Sequence, residues 1–414
     1  MFYSFLKVLV RFTLKIFFRK IFITGIEHIK SGTPQLIASN HPNGFLEPLI
    51  MACFFPKPLH FLVRGDVFDN PLLKPILKST NQIPIYRFRD GFSKLRENSQ
   101  KMDESIQVLL DKKNLLIFAE GGTESIKKLR PLQKGISRIA FHTLEKDPDL
   151  DIEILPVGIN FTFPSLFNEG VMLNIGTPLK VRDYLNQYNQ DNKSGHESLL
   201  NDLFLAMKKS VIHIEDQKRL KTFEKLVVFQ RSHNMYSYLP VYLNDIKPLK
   251  SEKKLAESID TLSDGELQEI REKIKVLESE MKNENVSLDD LGKMPYNASR
   301  IIILLIGFLP ALLGGLLHVF PLAISYYFTK TNVKQKEFRA SILMVTSMIL
   351  CLLLYIAYVI IIAMTAIPFY WLAISILTGL WFRFYYQIWV STTFVSVTLL
   401  DKFKNKGYEI INNL

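Results

Sequence analysis

The sequence predicts an α/β sandwich with a mixed or largely parallel sheet, and two observations carry that prediction. Between about residues 20 and 180, short β-rich apolar runs alternate with stretches of helical character, the pattern of strands joined by crossover helices. The chain of 414 residues also exceeds one such domain, and its composition changes near 183 and again near 300, so the alternation is confined to one part of it.

Each element has its own signature. Residues 1–20, "MFYSFLKVLVRFTLKIFFRK", hold five basic residues and no acid. Lys7, Arg11, Lys15 and Arg19 recur every four residues and form one helical stripe, with Phe2, Phe5, Leu9, Phe12, Ile16 and Phe17 around it. A signal peptide needs an unbroken apolar centre and a small-residue cleavage site, and neither is present. The stretch reads as an interfacial helix with its basic side towards headgroups, or as a basic helix packed on the domain. The expected strands are "IFITG", "QLIAS", "LHFLV", "IPIY", "NLLIFA", "EILPVGINF" and "VMLNIG", with helices over 45–54, 92–112 and 134–145. These make up a domain over 21–182.

Residues 183–297 form a mostly helical extension. "NQYNQDNKSGHES" (186–198) reads as a polar loop, followed by helix over about 197–231. Ser263 and Glu266 have capping-box spacing, and Leu267, Ile270, Ile274, Leu277 and Met281 form a narrow apolar seam.

Residues 298–382 form a helical membrane region. The stretch 301–328 has no formal charge; as one helix it would measure about 42 Å against a hydrocarbon core of about 30 Å. Pro310, Gly314, Gly315 and Pro321 interrupt it, which favours a re-entrant hairpin broken around 310–315. Such a hairpin keeps the basic loop of Lys330, Lys334, Lys336 and Arg339 on the side of the N-terminal domain, as the positive-inside rule prefers, and places that domain on the cytoplasmic face. A second apolar run covers 341–366, and a third runs from Pro368 to about Leu380. Residues 383–414 form an interfacial and basic tail, with Lys402, Lys404 and Lys406.

The charge balance narrows the function classes. Fifty-one Lys and Arg against 40 Asp and Glu give a net charge of +11, which favours a negative surface. Much of this basicity flanks apolar segments, so anionic lipid is the expected partner and nucleic acid is not. The two cysteines, Cys53 and Cys351, lie in apolar runs without metal spacing, which argues against a disulfide framework. None of the remaining histidines has His-Glu-x-x-His or Cys-His spacing, so no metal site is expected.

The residues with chemical potential begin at "IASNHPNGFLEPLIMA" (37–52). His41 follows an apolar strand and precedes a helix, at the carboxyl edge of the sheet where α/β folds place ligands. Imidazole, with an ordinary pKa of about 6.5, is mostly neutral at pH 7 and has a nitrogen free to accept a proton. Glu47, in the first turn of the next helix, can reach the other ring nitrogen, fix the tautomer and stabilise an imidazolium. On these residues alone a structural histidine is the commoner case.

Further blocks then line up. "NHPNGFLEP", "IPIYRFRD", "FAEGGTES" with "LRPLQKG", and "ILPVGINF" resemble, in order, the conserved blocks of the glycerolipid acyltransferase superfamily, which includes the lysophosphatidic acid acyltransferases. Five residues separate His41 from Glu47, a gap similar to that of the branch acting on glycerol-3-phosphate or dihydroxyacetone phosphate. Glu47 stands where the family has Asp.

The resemblance covers about 20–180. It implies an acyltransferase fold and a membrane-bound O-acyltransferase of phospholipid synthesis, with His41 as general base and Glu47 as its partner. It implies acyl-CoA or acyl-carrier protein as co-substrate, no cofactor, and a glycerol-phosphate or lysophospholipid hydroxyl as acceptor. Glu120 would bind the acceptor's hydroxyls, and Gly121 and Gly122 would let backbone approach the substrate. Many members have an arginine just after the Glu-Gly-Thr; here Thr123, Glu124 and Ser125 stand there. Arg87 is then the best phosphate ligand, with Arg64, Lys127, Lys128 and Arg130 in support. The two departures leave open a catalytically inactive scaffold of the same fold, or an acceptor lacking phosphate.

Overall fold

A computed structural model describes the chain apart from residues 1, 87–91, 163–165 and 234 and the side chains of 92–99. Arg87 and Asp90 therefore lie outside the described residues. The chain forms two compact units, Met1–His213 with Val241–Pro248, and Ile214–Pro240 with Leu249–Leu414.

The first unit is an α/β fold. Its elements are α1 (Phe2–Phe17), β1 (Lys20–Thr24), β2 (Gln35–Ser39), α2 (Leu46–Phe54), β3 (Leu59–Arg64), α3 (Leu73–Ser79), β4 (Gln82–Ile85), α4 (Phe92–Leu110) and β5 (Asn114–Phe118). They continue with α5 (Gly135–Lys146), β6 (Glu153–Phe161), β7 (Gly170–Ile175), β8 (Leu179–Lys180), α6 (Leu185–Gln190), α7 (Asn192–Ser210) and β9 (Tyr242–Leu243). The sheet runs β4-β3-β5-β2-β6-β7-β1-β9, with β8 also on β6. Strands β2 to β6 are mutually parallel, β7 is antiparallel to β6, and β1 is parallel to both β7 and β9. All seven expected strands form. The central strands β2 and β6 are buried along their whole length, which explains why they read as continuous apolar runs rather than alternating ones. Parallel pairing puts the carboxyl ends of β2 to β6 on one edge, and the loops at that edge carry the candidate residues.

Helix α1 forms as expected but is rotated relative to the basic-side-out reading. Lys7 Nζ donates to the Phe55 carbonyl at 2.7 Å, and the Arg11 guanidinium lies 5.1 Å from the Phe54 ring. Val10, Leu14 and Phe17 are buried, while Phe2, Phe5, Val8 and Phe12 are exposed. Two of the basic residues thus brace the helix on α2, and an apolar stripe faces outward.

The polar stretch 186–198 is helical, not a loop. Asp191 ends α6 and caps α7, accepting from the backbone N–H of Lys193 and Ser194. Tyr188 stacks on Phe141 with centroids 4.0 Å apart. A Cβ at Gly195 would sit 2.5 Å from the Tyr188 Cα, so the glycine lets the two helices touch. The inward face is carried by few residues, and the outward polar ones hid the period.

The second unit holds α8 (Leu220–His233), α9 (Lys247–Thr261), α10 (Asp264–Asn283), α11 (Leu288–Leu291), the short paired strands β10 (Met294–Pro295) and β11 (Thr392–Thr393), α12 (Ala298–Ile306), α13 (Phe308–Asn332), α14 (Lys336–Met364), α15 (Tyr370–Val390) and α16 (Val397–Asn412). The Ser263–Glu266 capping box forms, and all five seam residues of α10 are buried. Lys406 of α16 pairs with Glu280 of α10, and Gly407 lets α16 approach the Phe229 ring of α8.

The re-entrant break expected around 310–315 does not occur. The bend lies at Gly307, and α13 then runs unbroken for 25 residues. Pro310 is in the first turn of α13, where its missing N–H costs little. A Cβ on Gly314 would lie 2.0 Å from the Thr378 carbonyl oxygen, so this glycine serves close packing on α15 rather than a break. Pro321 sits inside the helix and cannot donate to the Leu317 carbonyl; the Tyr358 hydroxyl of α14 donates to that oxygen instead, at 3.2 Å. His318 is held by the Gly314 carbonyl and the Tyr355 hydroxyl, each at 2.7 Å, the helix–helix role its place in an apolar segment suggests. Helices α13 and α14 are long and apolar enough to cross a membrane.

Candidate active site

The site is assembled at the carboxyl edge, where β2, β5 and β6 end side by side. Asn40 decides how the chain leaves β2. Its side-chain amide donates to the Ile159 carbonyl at 2.9 Å and accepts from the Ile159 N–H at 2.8 Å. The amide thus continues the β2–β6 ladder by side chain and frees the backbone to turn, which puts His41 on the rim. The His41 ring stacks flat on Phe118, the last residue of β5, with centroids 3.8 Å apart and planes at 11°.

His41 and Glu47 are brought together. Nδ1 of His41 lies 3.5 Å from Oε1 of Glu47, slightly longer than a formed hydrogen bond. The Glu47 side chain has no exposed surface, whereas 13% of the His41 side chain remains open. Glu47 Oε1 also accepts from the Asn43 N–H, and Asn43 Oδ1 accepts from the N–H groups of Phe45 and Leu46 at 3.4 and 3.3 Å, tying the turn to the start of α2. Burial raises the Glu47 pKa above the ordinary carboxylate value; the neighbouring His41 imidazole and the backbone hydrogen bonds oppose that shift and do not cancel it.

Glu120, two residues past β5, is buried beneath the same turn. Its Oε2 accepts from the His41 backbone N–H at 3.1 Å, and its Oε1 accepts from the Arg130 N–H at 2.9 Å. The Arg130 guanidinium donates to Glu120 Oε2 at 2.9 Å and to the Gly122 carbonyl, and Glu124 lies 3.7 Å away. Both Glu120 oxygens are therefore engaged in fixing the His41 turn to the 120–130 loop. Gly121 has φ +72°, and a Cβ there would also press within 2.7 Å of the Gln133 side chain, so glycine is required. At Gly122 a Cβ would approach only Arg130, at 3.6 Å.

The remaining cations spread along the edge. Lys127 Nζ donates to the Phe161 carbonyl at the end of β6, at 3.0 Å. Arg64 ends β3, two strands from β2, and its guanidinium forms a fork on Asp66, with Nε at 3.0 Å, in an exposed position. At about 4.8 Å per strand its backbone stands about 10 Å from β2. Cys53, on α2, is buried, and its thiol pKa is pushed up to about 12, so it keeps its proton at neutral pH.

Comparison with known proteins bears on the same stretch of the chain. Residues 20–160 match the Acyltransferase family model, about a third of the chain. That stretch of the chain matches an acyltransferase domain. Among curated proteins, this acyltransferase domain is 26% identical over 124 residues to an uncharacterized acyltransferase of Schizosaccharomyces pombe, covering 30% of this chain and 18% of that one. It is 25% identical over 123 residues to glycerol-3-phosphate O-acyltransferase 1 of Saccharomyces cerevisiae, covering 29% and 15%. Glycerol-3-phosphate O-acyltransferase 2 of the same yeast matches at 23% over 226 residues, covering 51% and 30%. The chain thus spans less than a third of the length of the curated relatives it matches. A crystal structure of a 1-acyl-sn-glycerophosphate acyltransferase from Thermotoga maritima aligns with 44% of this chain and 72% of that one, at 19% identity and a TM-score of 0.31.

All the quoted blocks fall within or beside the matched domain. Sequence reasoning missed Asn40, Asn43 and Phe118. Each acts on neighbours distant in the chain or through backbone, and an asparagine before a turn carries no sign of the strand it will grip.

Proposed function

We propose that the protein is a membrane-bound acyltransferase that moves a fatty acyl group from acyl-CoA or acyl-carrier protein to a hydroxyl of a glycerol-3-phosphate-type or lysophospholipid acceptor. The observation that carries this reading is the His41–Glu47 pair, held on the rim at 3.5 Å with its carboxylate wholly buried. With Nδ1 turned to Glu47, Nε2 is the nitrogen left to take the acceptor's hydroxyl proton. The freed oxygen attacks the thioester carbonyl carbon, and the C–S bond breaks as the ester forms. The departing thiolate recovers the proton from the imidazolium, which Glu47 stabilises meanwhile. The stacked Phe118 keeps the ring from rotating away. Glu120 acts here as a positioning residue through the His41 N–H, and its direct contact with the acceptor is a separate part of the reading. Phosphate would be met by Arg87, with Lys127 and Arg64 along the same edge. The domain works at the cytoplasmic face of a membrane, where acyl chains are at hand.

One observation favours an acceptor without phosphate. Arg130, which shares Glu120 with the His41 turn, is engaged by Glu120, the Gly122 carbonyl and Glu124.

The test is thiol release by detergent-purified protein given long-chain acyl-CoA. Glycerol-3-phosphate, dihydroxyacetone phosphate, lysophosphatidic acid and an uncharged monoacylglycerol serve as parallel acceptors. Wild type is expected to release thiol with one phosphorylated acceptor, and His41→Ala, checked for folding by its melting temperature, to lose about 100-fold or more. Equal release by both proteins sinks the proposed base. Release only with the uncharged acceptor selects the second reading.

A further inference from the structure

Helix α3 exposes more than a stable surface helix should. None of its residues is buried, and Leu72, Leu73 and Ile76 are 78%, 44% and 45% exposed. At seven residues it is also well below the length at which a helix holds its form alone in water. Such a helix needs a partner for its apolar side chains. Residues 70–80, "NPLLKPILKST", carry Lys74 and Lys78 and no acid.

We propose that α3 is a lipid-inserting element of the acyltransferase domain, with Leu72, Leu73 and Ile76 entering an anionic bilayer and Lys74 and Lys78 meeting its headgroups. Charge complementarity singles out that occupant, because two lysines set among exposed apolar side chains suit a negative interface better than a protein core. The same unit already exposes the phenylalanine stripe of α1, a second apolar surface with basic neighbours. Position gives the contact a use. The chain leaves β3 at the carboxyl edge at Arg64 and re-enters the sheet at Gln82, so Leu72 and Leu73 begin the return from the edge that carries His41. An anchor there would hold the open side of the site against the layer in which an acyl chain resides. The inference rests on the membrane reading and not on the chemistry.

The test is a fluorescence measurement, and its failure leaves the acyl-transfer assay untouched. In full-length protein with Cys53→Ala and Cys351→Ala, a polarity-sensitive fluorophore is placed at Leu72→Cys, and in a second protein at Leu205→Cys, another exposed leucine of the same unit. Both are reconstituted in nanodiscs of phosphatidylcholine with and without phosphatidylglycerol, and their melting temperatures are compared with wild type. A depth of about 5–10 Å should make quenching by nitroxide lipids about fivefold stronger at 72 than at 205, and stronger with phosphatidylglycerol. Quenching by aqueous iodide equal to that at 205 means that α3 stays in water and overturns the proposal. A blue-shifted probe shielded from both quenchers means that protein covers α3, which overturns it equally.

Discussion

Glu47 is the wholly buried carboxyl of the candidate site, and its burial has a measurable consequence. A carboxyl whose folded pKa is raised binds more protons when folded than when unfolded, from its ordinary value of 4.5 up to the raised one. Stability therefore falls as pH rises through that window. Glu47→Gln removes the ionisation, so its melting temperature is expected to gain on wild type as pH climbs from 4 through the window, as a thermal-shift series would read. Activity should move oppositely. Transfer by wild type should rise with pH over the same window, because only the ionised carboxylate stabilises the imidazolium, and Glu47→Gln should lose about 10–100-fold of kcat. A flat wild-type profile would separate Glu47 from the reaction. The proximity of His41 and Glu47 was legible because both side chains lie near each other in the chain. Asn40, Phe118 and the Glu120–Arg130 brace were not, because each is defined by a strand or loop tens of residues away.

At the scale of elements, strands were legible and polar helices were not. Apolar runs such as "EILPVGINF" declare themselves because both faces of β6 are buried. The 186–198 stretch concealed two helices because Tyr188 and Gly195 do the packing, while Asn and Gln face water. Glycines misled in the other direction. Gly314 reads as a breaker, yet it marks the contact of α13 with α15. Gly314→Val is therefore expected to destabilise by about 1–3 kcal/mol or more through overpacking against Thr378, seen as a lower melting temperature in detergent. Tyr358→Phe removes the donor that satisfies the Leu317 carbonyl across from Pro321, with an expected cost of about 0.5–2 kcal/mol in the same measurement. Should Tyr358→Phe melt as wild type does, water or a lipid group serves that oxygen instead. On α10, Ser263→Ala should cost about 1 kcal/mol, since the capping box forms as its spacing predicts.

At the scale of the molecule, a basic chain with two helices of membrane-crossing length should bind its membrane by more than charge. Exposed electrostatic attachment weakens within a Debye length of about 3 Å at 1 M salt. Sedimentation should leave the protein with the membrane in 1 M salt and release it only with detergent, and release by salt alone would reduce the helices to surface contacts. The strand–helix alternation of an α/β domain over about residues 21–182 and the run of motifs along it follow from local pattern, which the sequence by itself determined. Period, turn chemistry and motif order are properties of neighbouring residues. Which way α1 turns, where the helix breaks before α13 and what holds His41 in place were decided only by tertiary structure. There the outcome depends on which distant carbonyl, ring or carboxylate comes within a few ångströms, and no local pattern records that.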